Sequence, residues 1–140
     1  MSLNYPKPGP NSVPSYQMSG IPYVTGSGPN TENLSTTKRF DFPYVTKFLT
    51  FSNNTSGEEL FVAFSAEGMT GLPSDPGIKH IFTVPGVSVT NLEVRCKSIF
   101  LKSSAGIQWS VCAGLTNIPS SEFPVLTGSI NGELAFEGIG

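Results

Sequence analysis

The side chains able to do chemistry are few and scattered. His80 is the only histidine in 140 residues, which excludes a multi-histidine metal site and leaves one imidazole for acid–base work. It stands just before Ile81 and Phe82 at a strand start, where a solvent-facing or hydrogen-bonded histidine is the ordinary case. Cys96 and Cys112 would need a helix N-terminus or a close cation to become thiolate nucleophiles. Neither stands at a helix start, and Arg95 and Lys97 alternate away from Cys96. The same alternation puts the two cysteines on opposite faces, so free structural thiols are expected. Gly26-Ser-Gly28 is followed by Pro29 and no lysine, so it lacks the spacing and the cation of a phosphate-cradling loop and reads as a flexible hinge. Glu58, Glu59, Glu67, Asp75, Glu93, Glu122, Glu133 and Glu137 are spread along the chain without a pair set at a glycosidase separation, and only an oxygen-rich loop such as Ser74-Asp75 is left as a cation candidate. The single tryptophan, Trp109, alternates with Ile107 and Val111 and reads as core, not as a sugar-stacking platform. No catalytic residue, cofactor or metal is expected; the protein reads as a non-enzyme.

The elements that carry these residues are strands. Charged residues make up 13% of the chain against a usual share of about 25%, while 15 glycines and 12 prolines suit short strands joined by many turns. A net charge of -2 gives no basic field for phosphate backbones, so direct nucleic-acid binding is disfavoured. No apolar run approaches the roughly 20 residues needed to cross a bilayer. Met1 to Pro10 lacks the basic flank and apolar core of a signal peptide, which predicts a cytosol-like compartment without membrane insertion. In that compartment the sequons at Asn33, Asn53 and Asn54 carry no meaning.

The pattern divides near residue 37. From Met1 to Thr37 the only charges are Lys7 and Glu32, and half of the prolines fall here, at 6, 8, 10, 14, 22 and 29. Proline fixes φ and removes a backbone donor, so residues 1–37 are expected to run as an extended arm. Apolar residues recur along it. Tyr5, Tyr16, Met18, Ile21 and Tyr23 have no local core in the sequence and are the expected interaction residues. Ordering such an arm costs roughly 1 to 2 kcal/mol per residue, which a small body has little spare surface to repay: either the arm lies along a partner, or most of it stays mobile until a partner arrives, the plain alternative being a disordered tail without a role.

From Lys38 to Gly140 short segments of period two predict a sandwich or barrel of seven or eight strands. Phe40, Phe42, Tyr44 and Phe48 share one parity and Leu49 and Phe51 the other, which predicts one long first strand with a bulge or bend after Pro43. Leu60 to Phe64 reads as a strand covered on both sides, residues 68–77 as a long loop, and Pro85-Gly86 as a sharp turn. Leu92, Val94 and Cys96 alternate cleanly with Glu93, Arg95 and Lys97, the mark of a strand with one dry face. Ile107, Trp109, Val111 and Ala113 form another. Nowhere is there an apolar stripe long enough for a three-turn helix.

Five pieces carry a resemblance: Ser19-Gly-Ile-Pro-Tyr-Val-Thr25, Phe42-Pro-Tyr-Val-Thr46, Ala113-Gly-Leu-Thr-Asn-Ile-Pro119, Leu126-Thr-Gly-Ser129 and Phe136-Glu-Gly-Ile-Gly140. In order and spacing, over roughly residues 14 to 140, the chain resembles the penton proteins of large icosahedral double-stranded DNA viruses of eukaryotes, such as chlorella viruses. The resemblance implies a single eight-stranded jelly-roll sandwich, with the arm of residues 1–37 before a body of residues 38–140. It implies a homopentamer at each fivefold vertex of a virion assembled in host cytoplasm, in contact with major and minor capsid proteins. It also marks Gly20, Ile21, Pro22, Tyr23, Pro43, Gly114, Leu115, Thr116, Leu126, Gly128 and Gly138 as places to look for contacts. Two other classes compete: a carbohydrate- or receptor-binding β-sandwich, which would show an exposed aromatic cluster, and a small hydrolase on the same scaffold, which would depend on His80.

Overall fold

The computed structural model describes residues 20–70, 80–123, 129–130 and 133–134. Strands dominate: β1 (Ile21–Gly26), β2 (Glu32–Asn33), β3 (Lys38–Asp41), β4 (Tyr44–Asn53), β5 (Leu60–Ala63), β6 (Phe82–Val84), β7 (Ser88–Leu92), β8 (Ser98–Ser103), β9 (Gly106–Ile107), β10 (Trp109–Pro119), β11 (Ser129–Ile130) and β12 (Glu133–Leu134). One short helix, α1 (Ala66–Thr70), follows β5. Two antiparallel four-stranded sheets, ordered β1-β10-β4-β7 and β3-β8-β5-β6, face each other across one core. Phe51, Leu49 and Val111 come to it from the first sheet and Leu60, Ile99 and Leu101 from the second, all fully buried. The protein is all-β with a sandwich-like arrangement.

Period-two patterning explains most of the strands. In β10 Trp109, Val111 and Ala113 are buried while Ser110 and Cys112 are exposed, as the sequence alternation predicts. The expected long first strand is instead two strands in different sheets, β3 in the second and β4 in the first, with the change at Phe42-Pro43. Proline has no N–H to continue a ladder. The Phe42 N–H donates to Lys97 O at 2.8 Å, and Ser120 Oγ donates a short bond to Phe42 O. A bulge is also present: Gly114 faces Phe48 and Leu115 faces Thr46, so Lys47 is the extra residue.

The clean alternation over Leu92–Lys97 marks a passage between sheets more than a strand. β7 ends at Leu92 in the first sheet and β8 begins at Ser98 in the second. In between, the buried Thr46 hydroxyl does the work of a ladder: Oγ1 donates to Val94 O at 2.7 Å and accepts from Cys96 N at 3.0 Å. The alternation is real because the crossing segment still has one side on the core, where Cys96 is buried.

The outer face of the second sheet is covered, as expected for residues 60–64. Ala63, Met69 of α1 and Phe100 form a second buried cluster, with Phe61 and Ile81 against it. Ser65 caps α1, its Oγ accepting from Gly68 N at 2.9 Å. The chain returns where His80 N donates to Gly68 O at 3.1 Å. No helix among the described residues is long and apolar enough to cross a membrane.

The expected arm of residues 1–37 overlaps the body. β1 pairs with β10 from Ile21 to Gly26, and β2 pairs with β9. Leu34 is buried, its N–H donating to Ser103 Oγ and its carbonyl accepting from Ser103 N, both at 3.0 Å. Residues 20–37 are therefore integral to the sandwich, and residues 1–19 lie outside the described chain.

Candidate interaction surface

β1 is built on alternation. Ser27 N donates to Trp109 O at 3.0 Å, and in the antiparallel register this sets Thr25, Tyr23 and Ile21 as the residues whose main chain faces β10. Pro22, Val24 and Gly26 turn theirs outward, so proline occupies a position where no ladder donor is required. Gly26 is needed for its small size, because a Cβ there would lie 2.6 Å from Trp109 O. Ile21 and Tyr23 pack against the core, and Tyr23 meets Phe42 edge-on at 4.9 Å between ring centroids. The expectation that these two lack a core of their own is thus corrected: the partner, Phe42, is remote in sequence. Tyr5, Tyr16 and Met18 lie outside the described residues.

The motif positions divide. Gly20, Pro22 and Pro43 are exposed, whereas Gly114, Leu115 and Thr116 are buried and serve the fold. Between Leu115 and Pro119 the register against β4 slips again. There Thr116 Oγ1 donates to Val45 O at 2.7 Å and accepts from Ile118 N at 3.3 Å, which pins the irregularity. Leu126, Gly128 and Gly138 lie outside the described residues.

On the outer face of the first sheet the cross-strand rows of the described residues hold no charge; the nearest charges are Lys47, at the bulge of β4, and Arg95, whose guanidinium donates to Lys47 O at 2.6 Å. Its cross-strand rows read Pro22–Gly114–Phe48, Val24–Cys112–Thr50–Asn91 and Gly26–Ser110–Ser52–Val89. Val24 and Val89, on opposite edges, are 71% and 66% exposed. Val87, 65% exposed before β7, has φ 55°, the left-handed region that a β-branched residue enters at a cost of about 1–3 kcal/mol. Gly86 beside it is held close, since a Cβ would lie 2.4 Å from Thr55 O. The sharp turn expected at Pro85-Gly86 is present, whereas the strand after it was read at Leu92–Lys97 and β7, over Ser88-Val-Thr-Asn-Leu92, was missed by sequence reasoning.

The second sheet presents the opposite chemistry. On its edge strand β3, Arg39 Nε and Asp41 Oδ1 bridge at 2.8 Å in solvent, and the Arg39 guanidinium lies 5.6 Å from the Phe100 ring. Lys38 Nζ donates to Glu32 Oε1 at 2.8 Å, and Trp109 Nε1 donates to Glu32 Oε2 at 3.2 Å. The Lys38 ammonium hydrogen bond, aided by the indole N–H, holds the Glu32 carboxyl below its ordinary range. Trp109 is buried, as its alternation predicts, and its polar edge is occupied by this clamp.

The remaining chemical candidates are structural or isolated. Cys96 is a buried free thiol, and burial pushes it up to about 11, away from nucleophilic use; Cys112 is exposed on the outer face of the first sheet. His80 Nε2 is buried without a hydrogen-bond partner, and no cysteine is bonded to it among the described contacts. The Gly26–Gly28 segment is not a free hinge: Ser27 Oγ accepts from Trp109 N at 3.1 Å and Gln108 Nε2 donates to Gly28 O at 3.2 Å. Asn53, in one of the sequons, is buried and donates to Glu58 O at 2.8 Å. Among the described residues no three metal-ligating side chains gather; Asp75 lies outside them. No family model matches the chain, and no curated protein matches it.

Proposed function

We propose that the protein is a structural capsid subunit, a penton protein that assembles as a homopentamer at the fivefold vertices of an icosahedral virion and contacts major and minor capsid proteins around it. The observation that carries this reading is the pair of charge-free edge strands of the first sheet, β1 and β7, on which, among the described residues, Val24 and Val89 stand exposed. The strand path supports a jelly roll of eight strands. β1, β4, β7 and β10 belong to one sheet and β3, β5, β6 and β8 to the other, so the chain changes sheets at nearly every connection, as two interleaved Greek keys require. The sequence resemblance in the β1, β4 and β10 segments points the same way.

The carbohydrate-binding alternative calls for an exposed aromatic cluster. Among the described residues Phe82, 39% exposed, is the one aromatic ring that stands largely in solvent. A lone ring gives no stacking platform.

The arm supplies the test. Deleting residues 1–20 removes one described hydrogen bond to the body, Gly20 N to Leu115 O at 3.2 Å. The truncated sandwich should fold with an unchanged unfolding midpoint and lose assembly, read by electron microscopy of concentrated full-length and truncated protein. Unimpaired shells or rings from the truncated chain would count against the arm's role.

A further inference from the structure

Among the described residues the two edges of the first sheet are open in the same way: β1 has β10 on one side and no strand on the other, and β7 has β4 on one side only. Natural sheets guard such edges with charges, proline or a covering element. The second sheet does so: β3 carries Lys38, Arg39 and Asp41, and β6 is three residues long. The first sheet does not. Neither β1 nor β7 holds a charge, and Pro22 blocks a single outward position while Val24 and Gly26 keep their N–H groups.

Strand sense matches as well. β1 is antiparallel to β10, β10 to β4 and β4 to β7, so β1 and β7 run in opposite directions. A copy turned about an axis along the strands keeps their sense, and its β1 then meets its neighbour's β7 antiparallel, six residues against five. Val24 and Val89 stand on the same outer face at the two edges, and the strained, exposed Val87 adjoins the seam. Such a contact is heterologous: it uses both open edges and forms a ring where the rotation between copies closes, whereas a twofold β1-to-β1 contact would leave β7 open.

We infer that copies pair head to tail through β1 of one and β7 of the next, continuing the first sheet across the seam. This deepens the capsid reading and rests on its premise that the partner is a second copy.

Cross-linking of the full chain tests it. In a Cys112→Ser background, Val24→Cys is mixed with Val89→Cys and, separately, with Asn91→Cys, which shares the face and catches a two-residue slip. Oxidation should give disulfide-linked dimers in at least one mixture and none from any variant alone. Val24→Lys should weaken self-association at least tenfold without moving the unfolding midpoint, while Arg39→Ala, on the guarded edge, should change neither. Linked dimers from Val24→Cys alone would establish a twofold seam and overturn the inference. Absence of linkage in both mixtures, with oligomers still present by mass, overturns the edge pairing and leaves the capsid reading standing; monomers at every concentration overturn both.

Discussion

The two sheets share a core and differ in how their outer faces are finished. Outside the second sheet, Ala63 and Phe100 are roofed by Met69 of α1, and the edge strand is ringed with charge. Outside the first sheet, among the described residues, Val24, Cys112 and Val89 are exposed and the cross-strand rows hold no charge. One face is covered by α1. The other has no such cover among the described residues, and it is the face on which the proposed contact with a second copy rests.

Truncation gives the largest test of that difference. Phe100→Ala, on the roofed face, should cost about 3 kcal/mol in urea unfolding, while Val24→Ala, on the outer face of the first sheet, should stay within about 0.5 kcal/mol. Equal costs would abolish the distinction between the faces. Next comes thiol chemistry, which separates a core position from a surface one. Cys112 should be alkylated rapidly in the native protein and Cys96 only on unfolding. Because burial raises the Cys96 pKa to about 11 from 9.0, its contribution to stability is complete below pH 9 and is lost as pH rises towards and through 11. Cys96→Ala should flatten that alkaline loss. A flat profile already in the parent protein would contradict the burial argument. The smallest effect is expected at the corner before β7: Val87→Asn should stabilise the isolated chain by about 1 kcal/mol, since asparagine tolerates φ 55°, while weakening self-association. Loss of stability in this variant would mean that Val87 serves the fold after all.

Local periodicity made much of the fold legible. The alternation of Ile107 to Ala113 located β10 and its buried Trp109, and the apolar neighbours of Val62 announced a strand covered on both sides. What stayed hidden depended on distant partners. A parity change near Pro43 looks the same whether the strand bulges or the chain changes sheets, and here it does both, with Lys47 as the bulge. Alternation over Leu92–Lys97 reports one buried side and cannot tell a ladder from a crossing held by Thr46. Pro22 argued against a strand at Ile21–Gly26, yet at an outward position of an edge strand its missing donor costs nothing. The candidate surface was half visible: Ile21 and Tyr23 drew notice as apolar residues without neighbours and were claimed by the core, while Val24 between them is the exposed one.

Self-association is the property that a vertex subunit must have. Sedimentation velocity of the purified full chain over rising concentration should show the 14.9 kDa monomer giving way to a ring of about 75 kDa, five copies, with no stable dimer between them. A single species at the monomer mass throughout would contradict it.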